Sequence, residues 1–303
     1  MTDQGASQRA TGRVRTEAVM GTLVTIHVVR ADENGVDPAI ERAFGWFREI
    51  ESRCTRFDPR SELMQLTAQA GVPVPASAIL YEALQFALMV AEESGGAFDP
   101  TVGHRMEARG FNREHRTGEI VRSTISPDDD VSYRDVRLDP DRRTITLLRP
   151  LTLDLGAVAK GLAVDAAARE LEPYRDFAID AGGDLYLGGS NPQGAPWSVG
   201  IRHPRLDNEL IDSLQVSNQA VCTSGDYERR THILDPRTNT TSDTVASATV
   251  VASGAMLADT LATAAFVLGP EEGIELLTRM GVEGLITTPD LKRYETRGFC
   301  RAT

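Results

Sequence analysis

Residues 177–187 read FAIDAGGDLYL: two short runs, 177–180 and 184–187, stand on either side of Ala181, Gly182 and Gly183. Strand, paired glycines, strand is a hairpin signal, because tight hairpin turns need residues that accept positive φ. A hairpin is antiparallel by construction, so the question becomes whether the flanking sequence repeats strand-helix units or extends an antiparallel sheet.

Toward the N-terminus, 158–171 fits a helix, 151–155 a strand, and 131–138 and 144–148 two strands joined by a turn at 139–142. Residues 104–130 are rich in charge and poor in periodicity, which predicts a long surface excursion. A helix is expected over 77–94, with Leu80, Leu84, Ala87, Leu88 and Ala91 as its buried stripe and Gly95 and Gly96 as its stop. Asp37 and Pro38 read as the cap and first residue of another, with Ile40, Phe44, Phe47 and Ile50 on one side and an end near Arg56. Residues 19–30 (VMGTLVTIHVVR) alternate as a strand does. Toward the C-terminus, strands are expected at 197–202, 213–217, 231–234 and 245–252, helices at 255–268 and 272–280, and short strands at 285–288 and 294–298. This order interleaves strands with a few helices and does not repeat strand-helix units. It predicts an α+β fold with a mixed, largely antiparallel sheet and packed helices. We expect a polar tail over 1–18 and one domain over 19–303.

The chain has 303 residues, 41% of them hydrophobic and 25% charged, which is globular composition. A formal net charge of −12 disfavours nucleic acid and anionic lipid as partners, so an anionic ligand would need a metal or a local basic group. The longest apolar stretches fall short of a membrane span. Cys54, Cys222 and Cys300 are odd in number and widely spaced, which suggests neither disulfides nor a zinc site. The first 18 residues contain no apolar core of a secretory signal and no lipidated cysteine context, so a cytoplasmic protein without a membrane anchor is expected.

Asp259 and Thr263 lie four apart in 255–269 (AMLADTLATAAFVLG), which on a helix puts a carboxylate and a hydroxyl on one face. Two hard oxygens side by side suit Mg2+, although taken alone the pair also fits a solvated face. Residues 154–161 (DLGAVAKG) pass through two glycines into a helix, where free amides can face an anion and Lys160 adds a positive charge. The order of residues is not that of a P-loop, and a tight corner with a surface lysine is the plainer reading. In 95–103 (GGAFDPTVG) an aromatic ring and a carboxylate follow a helix, either as a ligand-facing loop or as a simple cap and turn. His232 precedes a turn at Asp235 and Pro236 and is open to a structural role or to work as acid, base or phosphate donor. Residues 222–226 (CTSGD) offer hydroxyls without a triad.

In order along the chain, MGT at 20–22, FDP at 57–59, GGAFDPTVG at 95–103, DLGAVAKG at 154–161, DAGGD at 180–184, TSGDY at 223–227, HILDPRT at 232–238 and ADTLATA at 258–264 resemble the FAD:protein FMN transferase family, the ApbE-like flavin transferases. The resemblance implies the fold of that family, FAD bound as substrate with Mg2+, and transfer of FMN to a Thr or Ser hydroxyl of an acceptor flavoprotein with release of AMP. Carried over by position, it implies metal contacts from the Ala157 carbonyl, the Asp259 carboxylate, the Thr263 hydroxyl and the Ala262 carbonyl. It implies FAD contacts from Met20, Phe57, Ala97, Phe98, Asp99, Asp154, Lys160 and His232, with His232 and Asp259 as the catalytic pair. Phe57 stands where relatives often carry Tyr, and Asn239 where they carry Gly; Asn tolerates a left-handed turn. Two other readings are a Mg2+-dependent FAD pyrophosphatase giving FMN and AMP, and a module that holds FAD without turnover. A stretch at 243–249 (DTVASAT) loosely resembles an acceptor sequence, which raises self-modification beside the plainer reading of a β-strand.

Overall fold

The computed structural model describes residues 12–30, 35–114, 117–122, 130–227 and 233–299. In chain order these form β1 (Arg13–Val19), β2 (Thr22–Val28), α1 (Val36–Cys54), α2 (Glu62–Thr67), β3 (Val74–Pro75), α3 (Ala78–Glu93), α4 (Gly103–Ala108), β4 (Val136–Asp139), β5 (Thr144–Leu147) and α5 (Gly156–Leu171). There follow β6 (Phe177–Ala181), β7 (Asp184–Gly188), β8 (Trp197–Arg202), β9 (Leu210–Val216), β10 (Gln219–Gly225), β11 (Ser247–Ala252), α6 (Ala255–Leu268), α7 (Pro270–Arg279), β12 (Glu283–Thr287) and β13 (Arg293–Glu295).

Eight strands make the main sheet in the order β1-β2-β6-β7-β10-β11-β12-β13, and every neighbouring pair is antiparallel. The fold class is therefore α+β, as the order of elements predicts. Strand β11 is buried at all six positions because both its faces are covered. On one face Ala248, Val250 and Ala252, with Ala220 and Cys222 of β10 and Ile286 of β12, pack against the helices. On the other face Val221, Val251 and Leu285 meet Val199, Ile201, Leu214 and Val216 of the separate β8-β9 hairpin. A third sheet, β3-β5-β4, lies beside α2. Helix α1 buries Ile40, Phe44, Phe47 and Ile50 in the main core, as their spacing requires. No described helix is long and apolar enough to cross a membrane.

Two tight turns define one end of the main sheet. Met20 and Gly21, at φ 52° and 73°, join β1 to β2, and Gly182 and Gly183, at φ 67° and 99°, join β6 to β7. Positive φ at both central residues is what a two-residue hairpin needs to match strand twist. Since Val24 pairs with Ala181, the two turns are neighbours, and a Cβ on Gly182 would come within 2.1 Å of Thr22 Oγ1. Asp184 begins β7 immediately after this turn.

Several expectations need correction. Strand structure starts at Arg13, inside the stretch expected as polar tail; β1 is an edge strand exposed at nearly every position, so its polar sequence hides it. The strand expected over 19–30 is broken by the Met20–Gly21 turn. Residues 151–155, buried except for half-buried Asp154, form no strand: the Asp154 amide donates to Pro100 O at 2.7 Å, and Thr152 O accepts from Gly103 N at 3.0 Å. The first half of 131–138 is a single 3-10 turn at Tyr133–Asp135. Helix α4 occupies the start of the expected surface excursion, and α2 and β10 were not anticipated. Of the strand expected at 231–234, Ile233 and Leu234 are not in a strand, and Thr231 and His232 lie outside the described residues. Cys300 also lies outside them, while Cys54 and Cys222 are buried free thiols.

Candidate active site

Helices α5 and α6 cross so closely that a Cβ on Gly161 would sit 2.5 Å from Met256 Cα and 2.6 Å from Ala255 O. Only glycine allows the approach. Across the same contact, the Asp165 carboxylate of α5 accepts the Ala255 amide at 2.6 Å and the Met256 amide at 3.0 Å, capping α6 from a neighbouring helix. The Thr260 hydroxyl, fully buried, lies 2.9 Å from Ala157 O and 2.8 Å from Met256 O. These contacts register the start of α5 against the middle of α6. That registration brings Lys160 to Asp259, 99 residues away in the chain.

Asp259 is 7% exposed and its Oδ2 lies 3.3 Å from Lys160 Nζ. The same ammonium is ion-paired with Asp184, itself 3% exposed at the sheet end. Burial pushes the Asp259 carboxyl up, against the pull of the Lys160 ammonium. One turn along α6, Thr263 Oγ1 lies 3.2 Å from Ser224 Oγ near the end of β10. The corner thus gathers two carboxylates around one lysine, with two hydroxyls one turn along α6. In ionised form the two carboxylates outnumber the ammonium by one charge, and a buried negative charge without a partner is strongly disfavoured. Such a corner suits an added cation. The donors are hard oxygens, as Mg2+ prefers; among the described residues no group of three or more His, Cys, Asp or Glu side chains could hold a metal. Of the carbonyls, that of Ala157, a half-exposed residue in the first turn of α5, accepts from the Thr260 hydroxyl. Ala262 is an interior residue of α6 and fully buried, and its carbonyl points toward the amide four residues on.

Asp154 lies just before α5. Its Oδ1 accepts the Gly156 amide at 2.8 Å, and its Oδ2 accepts from Arg56 Nε at 2.7 Å. Arg56, 5% exposed, also donates to Phe111 O, and its guanidinium lies 4.3 Å from the centre of the Phe57 ring. Phe57 borders a cavity of about 310 Å3 that Arg48, Ser52, Thr55 and Arg60 also line. In the glycine loop, Ala97, Phe98 and Asp99 are buried. Asp99 accepts from Thr101 N and Oγ1, both at 2.8 Å, and from Tyr133 N at 2.9 Å. Burial raises its pKa while those donors oppose the rise. The Asp99 side chain organises this loop, which leaves backbone as what the segment offers a ligand. The loop is tied to 152–154 by the two backbone bonds above, and Arg105 of α4 and Arg109 just after it donate to Pro236 O and Asn239 O. Asn239 has φ 57°, the left-handed turn its side chain tolerates. Met20 is half-buried on the turn beside Gly182. His232 lies outside the described residues.

The structure therefore joins Ala157, Lys160, Asp259 and Thr263 in one corner and links Phe57 to Asp154 through Arg56. Arg56, Asp165, Asp184, Ser224 and Thr260 were not singled out from sequence. Asp184, Ser224 and Thr260 fall within recognised motifs, which was the available signal; Arg56 and Asp165 carry none. Thr249, in the acceptor-like stretch, is 1% exposed in the middle of β11 and 2.9 Å from Thr223 Oγ1, so it is no accessible acceptor.

Residues 20–286 match the model of the ApbE family. The chain belongs to that family. It is 33% identical to the FAD:protein FMN transferase of Treponema pallidum (strain Nichols) over 332 aligned positions, covering 97% of this chain and 90% of that one. The FAD:protein FMN transferase of Haemophilus influenzae is 28% identical over 281 positions, 85% of this chain and 81% of its own. Among solved structures, the ApbE protein of Thermotoga maritima superposes with a TM-score of 0.82 at 28% identity, over 94% of this chain and 97% of that chain. The flavin transferase ApbE from Vibrio cholerae gives a TM-score of 0.83 at 25% identity, over 95% and 98%. The ApbE match spans every motif from MGT to ADTLATA.

Proposed function

We propose that this chain is an FAD:protein FMN transferase that moves FMN from FAD to a Thr or Ser hydroxyl of an acceptor flavoprotein and releases AMP. The observation that carries this reading is the corner where Ala157 and Lys160 of α5 meet Asp259 and Thr263 of α6, with one carboxylate in excess of positive charge. The names of the relatives supply the reaction, and the corner supplies the means to handle a diphosphate.

The reaction breaks the bond between the FMN phosphorus and the AMP oxygen and forms one from that phosphorus to the acceptor oxygen. The acceptor proton leaves with the base that activates the hydroxyl. Little covalent chemistry falls to the protein in such a transfer, so positioning and charge stabilisation carry the rate. Asp259, Thr263 and the Ala157 carbonyl would hold Mg2+, with the Ala262 carbonyl engaged by its own helix. A divalent cation bound there neutralises charge on the diphosphate oxygens. The Lys160 ammonium, with the positive end of the α5 dipole, attracts phosphate. Asp154, fixed by Arg56, sets the entry angle of that helix. Phe57 gives an aromatic face to a flat ring, backed by Arg56. His232 serves as a phosphate contact or proton carrier.

With FAD, Mg2+ and an acceptor, the wild-type chain releases AMP. Asp259→Ala lowers that rate by about 100-fold or more, the scale of losing a group that stabilises transition-state charge, and chelation of the metal stops it. Unchanged AMP release from Asp259→Ala would remove the assignment.

A further inference from the structure

Lys160 is shared. Its ammonium is paired with Asp184 on the sheet and with Asp259 on α6, the second at 3.3 Å. Under the reading above, Asp259 also binds a divalent cation. An ammonium and a dication on one carboxylate repel each other strongly in a buried setting. For the cation to bind, the ammonium must be held elsewhere, and Asp184 is the other carboxylate that grips it.

We propose that Asp184 is a positioning residue that retains the Lys160 ammonium when a divalent cation takes Asp259, and thereby sets the cation affinity of the site. Three features support it. Asp184 is 3% exposed and starts β7 directly after a two-residue glycine turn, so its backbone is rigidly placed. The Gly182 position is closed by Thr22, which pins that turn to the neighbouring hairpin. Finally, the charge count works in both states: with the cation absent one ammonium is shared between two carboxylates, and with the cation present each carboxylate has its own positive partner. Without Asp184, the ammonium turns wholly to Asp259 and competes with the incoming ion. The inference rests on the cation reading of the site, not on the identity of the acceptor.

The test is Mn2+ binding in the absence of FAD, read by electron paramagnetic resonance of free Mn2+, on wild type, Asp184→Asn, Lys160→Gln and the double variant. Asp184→Asn weakens Mn2+ binding by about 10-fold, the scale typical of groups that position a ligand. In the Lys160→Gln background the same substitution changes affinity by less than about twofold, since the group through which Asp184 acts is gone. Equal losses in both backgrounds mean that Asp184 acts on the ion directly and overturn the proposal, as does no loss in the single variant. If wild type binds no Mn2+, the cation reading and this proposal fail together; if it binds and the losses are equal, this proposal fails alone. Asp184→Asn removes the excess negative charge of the cluster and is expected to fold, which circular dichroism checks. Should Lys160→Gln not fold, a crystal structure of the Mn2+-loaded wild type decides: Asp184 on the ammonium and off the ion is expected, and an Asp184 oxygen bound to Mn2+ overturns the proposal.

Discussion

Arg56 shows what one buried charge contributes to this site. Its guanidinium joins Asp154 ahead of α5 to Phe111 O and lies against the Phe57 ring. Exposed pairs such as Arg53–Glu49 contribute about 0–1 kcal/mol, but removing one partner of a buried pair costs about 3–5 kcal/mol because the other charge is stranded. We therefore expect Arg56→Met to lower unfolding free energy by about 3 kcal/mol and to weaken FAD binding, measured by urea unfolding and flavin titration. A stability loss below about 1 kcal/mol would show that the pair behaves as a surface bridge. At this scale the sequence is legible only in part. Asp259 and Thr263 could be paired by helical spacing alone, whereas Arg56 and Asp154 are 98 residues apart and no local pattern couples them. Asp184 was visible as the end of DAGGD, yet its role depends on a lysine of another element.

Helices α5 and α6 carry the site between them, and the fit at Gly161 fixes their spacing. Gly161→Ala places a methyl 2.5 Å from Met256 Cα, so the helices must part. We expect a loss of about 1–3 kcal/mol from overpacking and a fall in AMP release larger than at an equally destabilising core site remote from the corner. Equal effects at the two positions would separate helix spacing from catalysis. Asp165, which caps α6 from α5, gives a pH signature. Burial raises its pKa above the usual 3.8, against the amides of Met256 and Ala255 that favour the ionised form. A raised folded value means the folded chain binds the proton more tightly than the unfolded one. The associated stability is complete below 3.8 and is lost as pH rises through the folded value. Asp165→Asn lacks this titration. The stability of wild type relative to Asp165→Asn should thus decline as pH rises above about 4 in urea unfolding; an increase would contradict the assignment. The helices themselves were readable: α3, with Ser77 as its cap, and α6 lie within a residue or two of where their spacing puts them. Elements whose partners are not helical were harder. The polar residues of β1 suit an exposed sheet edge as well as a tail, and 151–155 alternates like a strand while bonding to a loop.

For the whole molecule, one antiparallel sheet covered by helices on one face and by the β8-β9 hairpin on the other explains how Lys160 of α5, Asp184 of β7 and Asp259 of α6 meet. Sheet register brings the Met20–Gly21 and Gly182–Gly183 turns together, and helix crossing sets α5 and α6 beside them. Antiparallel topology was legible from the hairpin at 177–187; the strand order was not, because it depends on long-range pairing such as β7 with β10. The most direct measurement is the intact mass of a candidate acceptor flavoprotein after incubation with this chain, FAD and Mg2+, with AMP quantified in the same sample. A mass gain equal to one FMN moiety per acceptor, matched by equimolar AMP, is the expected result. FMN and AMP released with no change in acceptor mass would make the chain a pyrophosphatase, and the absence of AMP would make it a binding module; either contradicts the transferase account.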